Sequence, residues 1–137
     1  MLKKRNMLPH LGNSMNHSAI YKKALEIFAL TRQISFYLTP DVSHLQKNGT
    51  EDPNIYFTGD IVQQSVSLGP QILKAERQYF SEEKHKYAAS VMRLSNLLYK
   101  NCERLEQINS NGKDFLPLLR SEIKKFRKLQ RNWLLTL

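Results

Sequence analysis

In four separate stretches of this chain, apolar residues recur at alternating intervals of three and four. That spacing keeps them on one face of an α-helix, whereas a strand would alternate with period two. The first row is Ile20, Ala24, Ile27, Thr31, Ile34 and Leu38. The second is Ile61, Ser65, Leu68, Ile72, Ala75 and Tyr79, flanked by Val62, Val66, Gly69 and Leu73. The third, Ala88, Val91, Ser95, Leu98, Cys102 and Leu105, is the cleanest heptad-like seam. The fourth is Leu116, Leu119, Ile123, Phe126, Gln130, Trp133 and Leu137. Four amphipathic helices with short or moderate connections predict an all-α fold, an up-and-down antiparallel four-helix bundle.

Local signals set the expected boundaries. Ser18 or Asn16 caps the first helix, and Pro40 is expected to end it, because proline has no N–H to continue the ladder. Residues 41–52 read as a loop around the Asn48-Gly49 turn signal. Asp52-Pro53 opens the second helix, with Gly59 weakening its early turns so that order is expected from near Thr58. Pro70 lies inside that helix and should bend it. Ser81 reads as the cap of the third helix, with Glu82 and Glu83 at the positive end of its dipole, and Asn111-Gly112 as its end. Pro117 is tolerable in the first turn of the fourth helix, after Asp114. Residues 1–16 read as a mobile basic N-terminal arm, and 17–137 as the bundle domain.

Composition agrees with one soluble domain. A chain of 137 residues is long enough to bury a core unaided, and 41% apolar with 24% charged residues argues against wholesale disorder. The single cysteine excludes a disulfide framework and a cysteine-rich zinc site. No apolar run approaches the roughly 18 residues of a membrane span, and the charged start lacks the apolar stretch of a secretory signal. The expectation is a cytoplasmic protein without a membrane partner.

Charge is distributed unevenly. Residues 1–23 carry a net +5, residues 24–112 a net −1, and residues 113–137 a net +5. Basic ends on a neutral middle suit contact with a polyanion, because Lys and Arg replace counterions condensed on phosphates. A positive surface can also serve solubility alone. Within the last helix, Arg120, Lys124, Arg127 and Arg131 recur at steps of 4, 3 and 4, and Lys125 and Lys128 widen the stripe. These six residues, with Lys3, Lys4 and Arg5 of the arm, are the candidate nucleic-acid-binding set. The alternative is a solvated face, or pairing with acids such as Glu103 and Glu106.

Catalytic chemistry finds little footing. Glu82-x-x-His85 has the spacing of a di-iron ligand pair, but a second pair and two further glutamates are missing, and a first-turn Glu is explained by the helix dipole. Cys102 lies on a seam, where a thiol behaves as a small apolar group. His10, His17 and His44 share no helix face, and the five glycines are isolated rather than grouped in a phosphate-cradling loop. Trp133 occupies a core step. No catalytic residue, metal or cofactor is expected.

The run Gln64-Ser65-Val66-Ser67-Leu68-Gly69-Pro70-Gln71-Ile72-Leu73-Lys74-Ala75-Glu76 resembles the second-helix signature of the 23S rRNA-intervening-sequence proteins, Ser-(Ile/Val)-(Gly/Pro)-Ala-Asn-Ile-Ala-Glu. Ser67, Leu68, Gly69, Ile72 and Ala75 match, while Gln71 and Lys74 stand where the family has Asn and Glu, so no role of those two carries over. In order and spacing of helices the resemblance spans roughly residues 18–135. It implies a four-helix bundle assembled as a ring-shaped homopentamer. Some members are similar to the accessory variability determinant of diversity-generating retroelements, which holds a reverse transcriptase and nucleic acid.

The residues supply their own support for assembly, since Tyr21, Leu25, Phe28, Phe36 and Tyr37 exceed what one core face of the first helix needs. The leading expectation is therefore a non-catalytic, oligomeric basic bundle that binds RNA or DNA, as accessory subunit to an enzyme such as a reverse transcriptase. A structural or protein-interaction scaffold is the alternative, and a metal-dependent enzyme in the bundle core comes last.

Overall fold

The computed structural model describes residues 17–108 and 111–137. Among them are four α-helices and no strand: α1 (Ala19–Val42), α2 (Asn54–Arg77), α3 (Ser81–Leu105) and α4 (Leu116–Thr136), the last preceded by a 3-10 turn over Asn111–Phe115. Each helix packs on the next, and α4 closes back onto α1. Contacts at the two ends fix the directions. Gly69, late in α2, meets Tyr21, early in α1, while Arg104, late in α3, lies over Phe57, early in α2. Cys102 of α3 reaches the first residue of α4, Leu116, and Tyr37 near the end of α1 stacks on Phe115. The bundle is therefore up-and-down and antiparallel.

The four apolar rows become the core. Ile27, Ile34, Leu38, Ile61, Leu68, Val91, Leu98, Leu119 and Phe126 have no exposed surface, and Trp133 is buried at one end. Truncating such a side chain to Ala costs about 2–5 kcal/mol, from lost transfer energy and the cavity left behind. Tyr79 is the exception. The second row was expected to include it, but α2 ends at Arg77 and Tyr79 projects from the following turn into solvent.

Other boundaries also shift. α1 runs through Pro40 to Val42. Proline removes only its own N–H bond, its ring faces solvent, and Ser43 N–H still reaches the Thr39 carbonyl at 2.9 Å. Val42 is buried, which anchors the last turn. α2 begins at Asn54 rather than near Thr58, because the Asp52 carboxylate accepts the Asn54 N–H at 3.0 Å and Thr58 is itself buried. Gly59 does not stop the helix, and α2 likewise continues through Pro70. Ser18 caps α1 as expected, accepting from Tyr21 N–H at 3.4 Å. Ser81 is not a cap: Phe80 holds that position and Ser81 is the first helical residue. α3 ends at Leu105, short of Asn111, which instead opens the 3-10 turn. Asn16 lies outside the described residues.

Small and polar residues on the seams set how closely helices approach. A Cβ on Gly69 would sit 3.3 Å from the Tyr21 ring, so the glycine in the Ser67-Leu68-Gly69 run leaves α2 room for that ring of α1. A little further along, the buried hydroxyls of Thr31 and Ser65 lie 2.6 Å apart. Each is also 2.9 Å from a carbonyl one turn back, Phe28 and Val62 respectively. Two hydroxyl protons serve three contacts, so one hydroxyl donates to the other and the acceptor donates to its own helix. Ser95 donates to Gln130 at 3.2 Å across α3 and α4 in the same way.

Thr31→Val and Ser65→Ala should each lower the unfolding free energy by about 1–2 kcal/mol, since the surviving hydroxyl loses a buried partner. The double variant should cost clearly less than the sum of the two singles. Urea unfolding of all four proteins measures this, and strict additivity would show that the hydroxyls act independently.

Candidate nucleic-acid interface

α4 places its cations one position after its core residues: Arg120 after Leu119, Lys124 after Ile123, Arg127 after Phe126 and Arg131 after Gln130. One residue is about 100° around a helix, so burial of the core row fixes the stripe on the flank of α4. Contacts of Arg120 and Arg127 show that this flank faces α3. Arg120 Nη1 lies 3.3 Å from Glu106 Oε2. The Arg127 guanidinium lies 4.4 Å from the ring centre of Tyr99 and donates to Asn96 Oδ1 at 2.8 Å. Tyr99 follows Leu98 on its seam as Arg127 follows Phe126, so two antiparallel helices bring the pair together. The sequence marks Arg127 as part of the basic stripe but gives no sign that Tyr99 lies under it.

On the other flank, Glu122 accepts from Lys125 at 2.8 Å and from Lys23 of α1 at 2.8 Å. Lys23 also reaches Glu26. The two ammonium groups, Lys125 first, hold the Glu122 carboxyl below its usual range. The same carboxylates, Glu122 first, raise the Lys23 ammonium. Lys125 is thus neutralised within its own helix.

Three of the six predicted cations are therefore engaged, and three are not. Lys124, Lys128 and Arg131 are exposed and carry no ion pair or hydrogen bond among the described residues. Their steps of 4 and 3 put them on a single row about 10 Å long. On α3, exposed Arg93 and Lys100 stand one turn either side of Asn96 and add charge beside the row. The expected pairing with acids of α3 applies to Arg120 alone among the six. Lys3, Lys4 and Arg5 lie outside the described residues.

Cys102, His85 and Trp133 each have a partner within the bundle. Cys102 has no exposed surface, and its thiol is pushed up to about 12, first by burial and then by Glu106 nearby. At neutral pH it is a thiol and not a thiolate. His85 is exposed, with Nδ1 2.7 Å from the Ser81 carbonyl oxygen, inside its own helix. Trp133 donates its indole N–H to Glu76 at 3.0 Å, which joins the end of α4 to the end of α2. Among the described residues no group of three or more His, Cys, Asp or Glu could hold a metal ion, and no helix is long and apolar enough to cross a membrane. Comparison with protein-family models, curated proteins and solved structures finds no match.

The Glu122 arrangement gives stability a definite pH dependence. Its folded pKa is lowered, so its contribution is complete above the unfolded value of 4.5 and is lost as pH falls through the lower folded value. Glu122→Gln should cost up to about 1 kcal/mol at pH 7, the range of partly exposed ion pairs, and nearly nothing at pH 2. Thermal unfolding of both proteins at the two pH values tests this; an equal loss at both would assign the effect to packing.

Proposed function

We propose that this protein is a non-catalytic, oligomeric basic bundle that holds RNA or DNA by its phosphates, as accessory subunit to a nucleic-acid enzyme such as a reverse transcriptase. The observation that carries the binding reading is the unpaired row Lys124, Lys128 and Arg131. Like charges one turn apart destabilise a helix by a few tenths of a kcal/mol, and the neighbouring helices supply no carboxylate to offset it. Phosphate oxygens would do so, with little dependence on base sequence. The enzyme partner is drawn from the resemblance of residues 64–76 alone.

Assembly rests on a second observation, on the opposite side of the bundle. The outer surface of α1 and α2 is apolar and sparsely charged: Leu25, Phe36 and Val66 are exposed there, and Phe36 and Val62 line a shallow groove with Arg32 and Pro40. A second copy of the chain seated on this surface would leave the α3–α4 cations outward. Repetition around a ring, a pentamer by resemblance, would then add weak single contacts by multivalency. Without nucleic-acid binding, the same apolar surface would make the protein an interaction scaffold.

Two measurements separate these readings. Titration of mixed-sequence RNA and DNA at several salt concentrations should show affinity falling steeply with salt. Lys124→Gln, Lys128→Gln and Arg131→Gln together should weaken it and lower the slope of log K against log salt by about 2–3, with folding intact. Unchanged affinity and slope in that variant would remove α4 as the contact. Light scattering should give a mass several times 16.0 kDa, reduced by Phe36→Asp. A monomer independent of concentration would end the assembly reading.

A further inference from the structure

We propose that the turn between α2 and α3 is a base-stacking tip, and that the nucleic acid bound by this bundle is single-stranded; the inference rests on the phosphate-binding reading above. Tyr79 is 93% exposed and Phe80 72% exposed, with ring centres 5.8 Å apart and planes inclined at 60°. Neither belongs to the core nor packs against it. Local structure does not account for them. Phe80 occupies the N-cap of α3 and makes no side-chain cap bond, at a position where Ser, Thr, Asp or Asn would be stabilising. A connection of three residues, Gln78 to Phe80, could be polar throughout, yet it exposes two aromatic rings.

The surroundings point to a ligand with both π-faces and negative charge. Behind the tip, Lys74 and Lys86 approach the Tyr87 ring to 5.8 and 5.9 Å, and Arg77 and Lys84 flank the turn. Glu82 and Glu83 at the start of α3 offset part of this charge, and Glu76 is held by Trp133. The tip is therefore only weakly basic, and its contribution would be stacking rather than phosphate attraction. The phosphate contacts belong to the α4 row. Trp133, in the last turn of α4, bonds Glu76, three residues before Tyr79, so the C-terminal end of α4, where the row finishes, lies at the same end of the bundle as the tip. A strand lying along Lys124, Lys128 and Arg131 runs toward rings on which unpaired bases stack. A duplex, with its bases already stacked, gains nothing there.

Fluorescence anisotropy of the full chain with three labelled probes tests the proposal: an oligo-dT of about 20 nucleotides, an abasic strand of equal length, and a mixed-sequence duplex. Wild type should bind oligo-dT most tightly. Tyr79→Ala with Phe80→Ala should weaken oligo-dT binding by about tenfold or more while leaving its salt slope, and the abasic and duplex affinities, unchanged. Tyr79→Phe should retain wild-type affinity. Helical circular dichroism checks the fold, and Tyr79→Ala alone replaces the pair if the double variant unfolds. Wild-type affinity for oligo-dT in the aromatic-deleted protein, or an equal loss on all three probes, overturns the tip while phosphate binding stands. A wild type that binds none of the probes overturns the phosphate reading and the tip with it. Loss of binding to phosphatidylserine vesicles with oligo-dT binding intact would assign the rings to a membrane surface and overturn the proposal.

Discussion

Burial of one apolar row from each of four helices is the constraint on which the rest of this molecule depends. Once Ile27, Leu68, Leu98 and Phe126 are enclosed, every other position on their helices has a fixed angular relation to the core. Residues one position further along fall on the helix flanks, and there Arg127 meets Tyr99 and Arg120 meets Glu106. The stripe on α4 is thus a consequence of core packing. Polar residues on the seams refine the fit rather than interrupt it. The Thr31–Ser65 and Ser95–Gln130 contacts satisfy each other in the interior, and Gly69 admits the Tyr21 ring.

Electrostatics then divide the surface. Glu122 sits between Lys23 and Lys125 and neutralises the α1 side of α4, while Glu106 takes Arg120 near the start of the helix. The charge left over is concentrated on the α3 side, toward the C-terminal half of α4. The exposed Leu25, Phe36 and Val66 of α1 and α2 lie on the far side of the bundle, so the assembly surface and the phosphate surface proposed above do not overlap. Burial also quiets the one thiol, since a Cys102 pKa of about 12 leaves almost no nucleophile at neutral pH.

The sequence was legible where one physical effect dominated and misleading where two opposed each other. Three-four periodicity located all four helices because burying an apolar face outweighs local propensity. Pro40 and Gly59 misplaced helix ends for the same reason: each is a local signal worth about 1–3 kcal/mol, overridden by buried neighbours, Val42 and Thr58. Tyr79 erred in the other direction. It kept the spacing of its row but lay beyond the last residue of α2, where periodicity no longer reports a face.

For the candidate interface, the sequence by itself determined which cations share a flank of α4, because their angular positions follow from helix geometry alone. It also determined that no carboxylate within the helix, other than Glu122, could pair with them. The Lys125–Glu122 bridge lies within α4 and follows from spacing, but only the tertiary structure decided which of the other five are engaged. Pairing of Arg120 and stacking of Arg127 reach across to Glu106 and Tyr99, and the second bridge of Glu122 reaches Lys23 of α1; these registers are set by packing. Likewise, the rings of Tyr79 and Phe80 became a surface feature only when the end of α2 placed them outside the core. A hydrogen bond or ion pair has a reach of a few ångströms, and distances that small between helices are fixed by side-chain volumes in the core rather than by spacing along the chain.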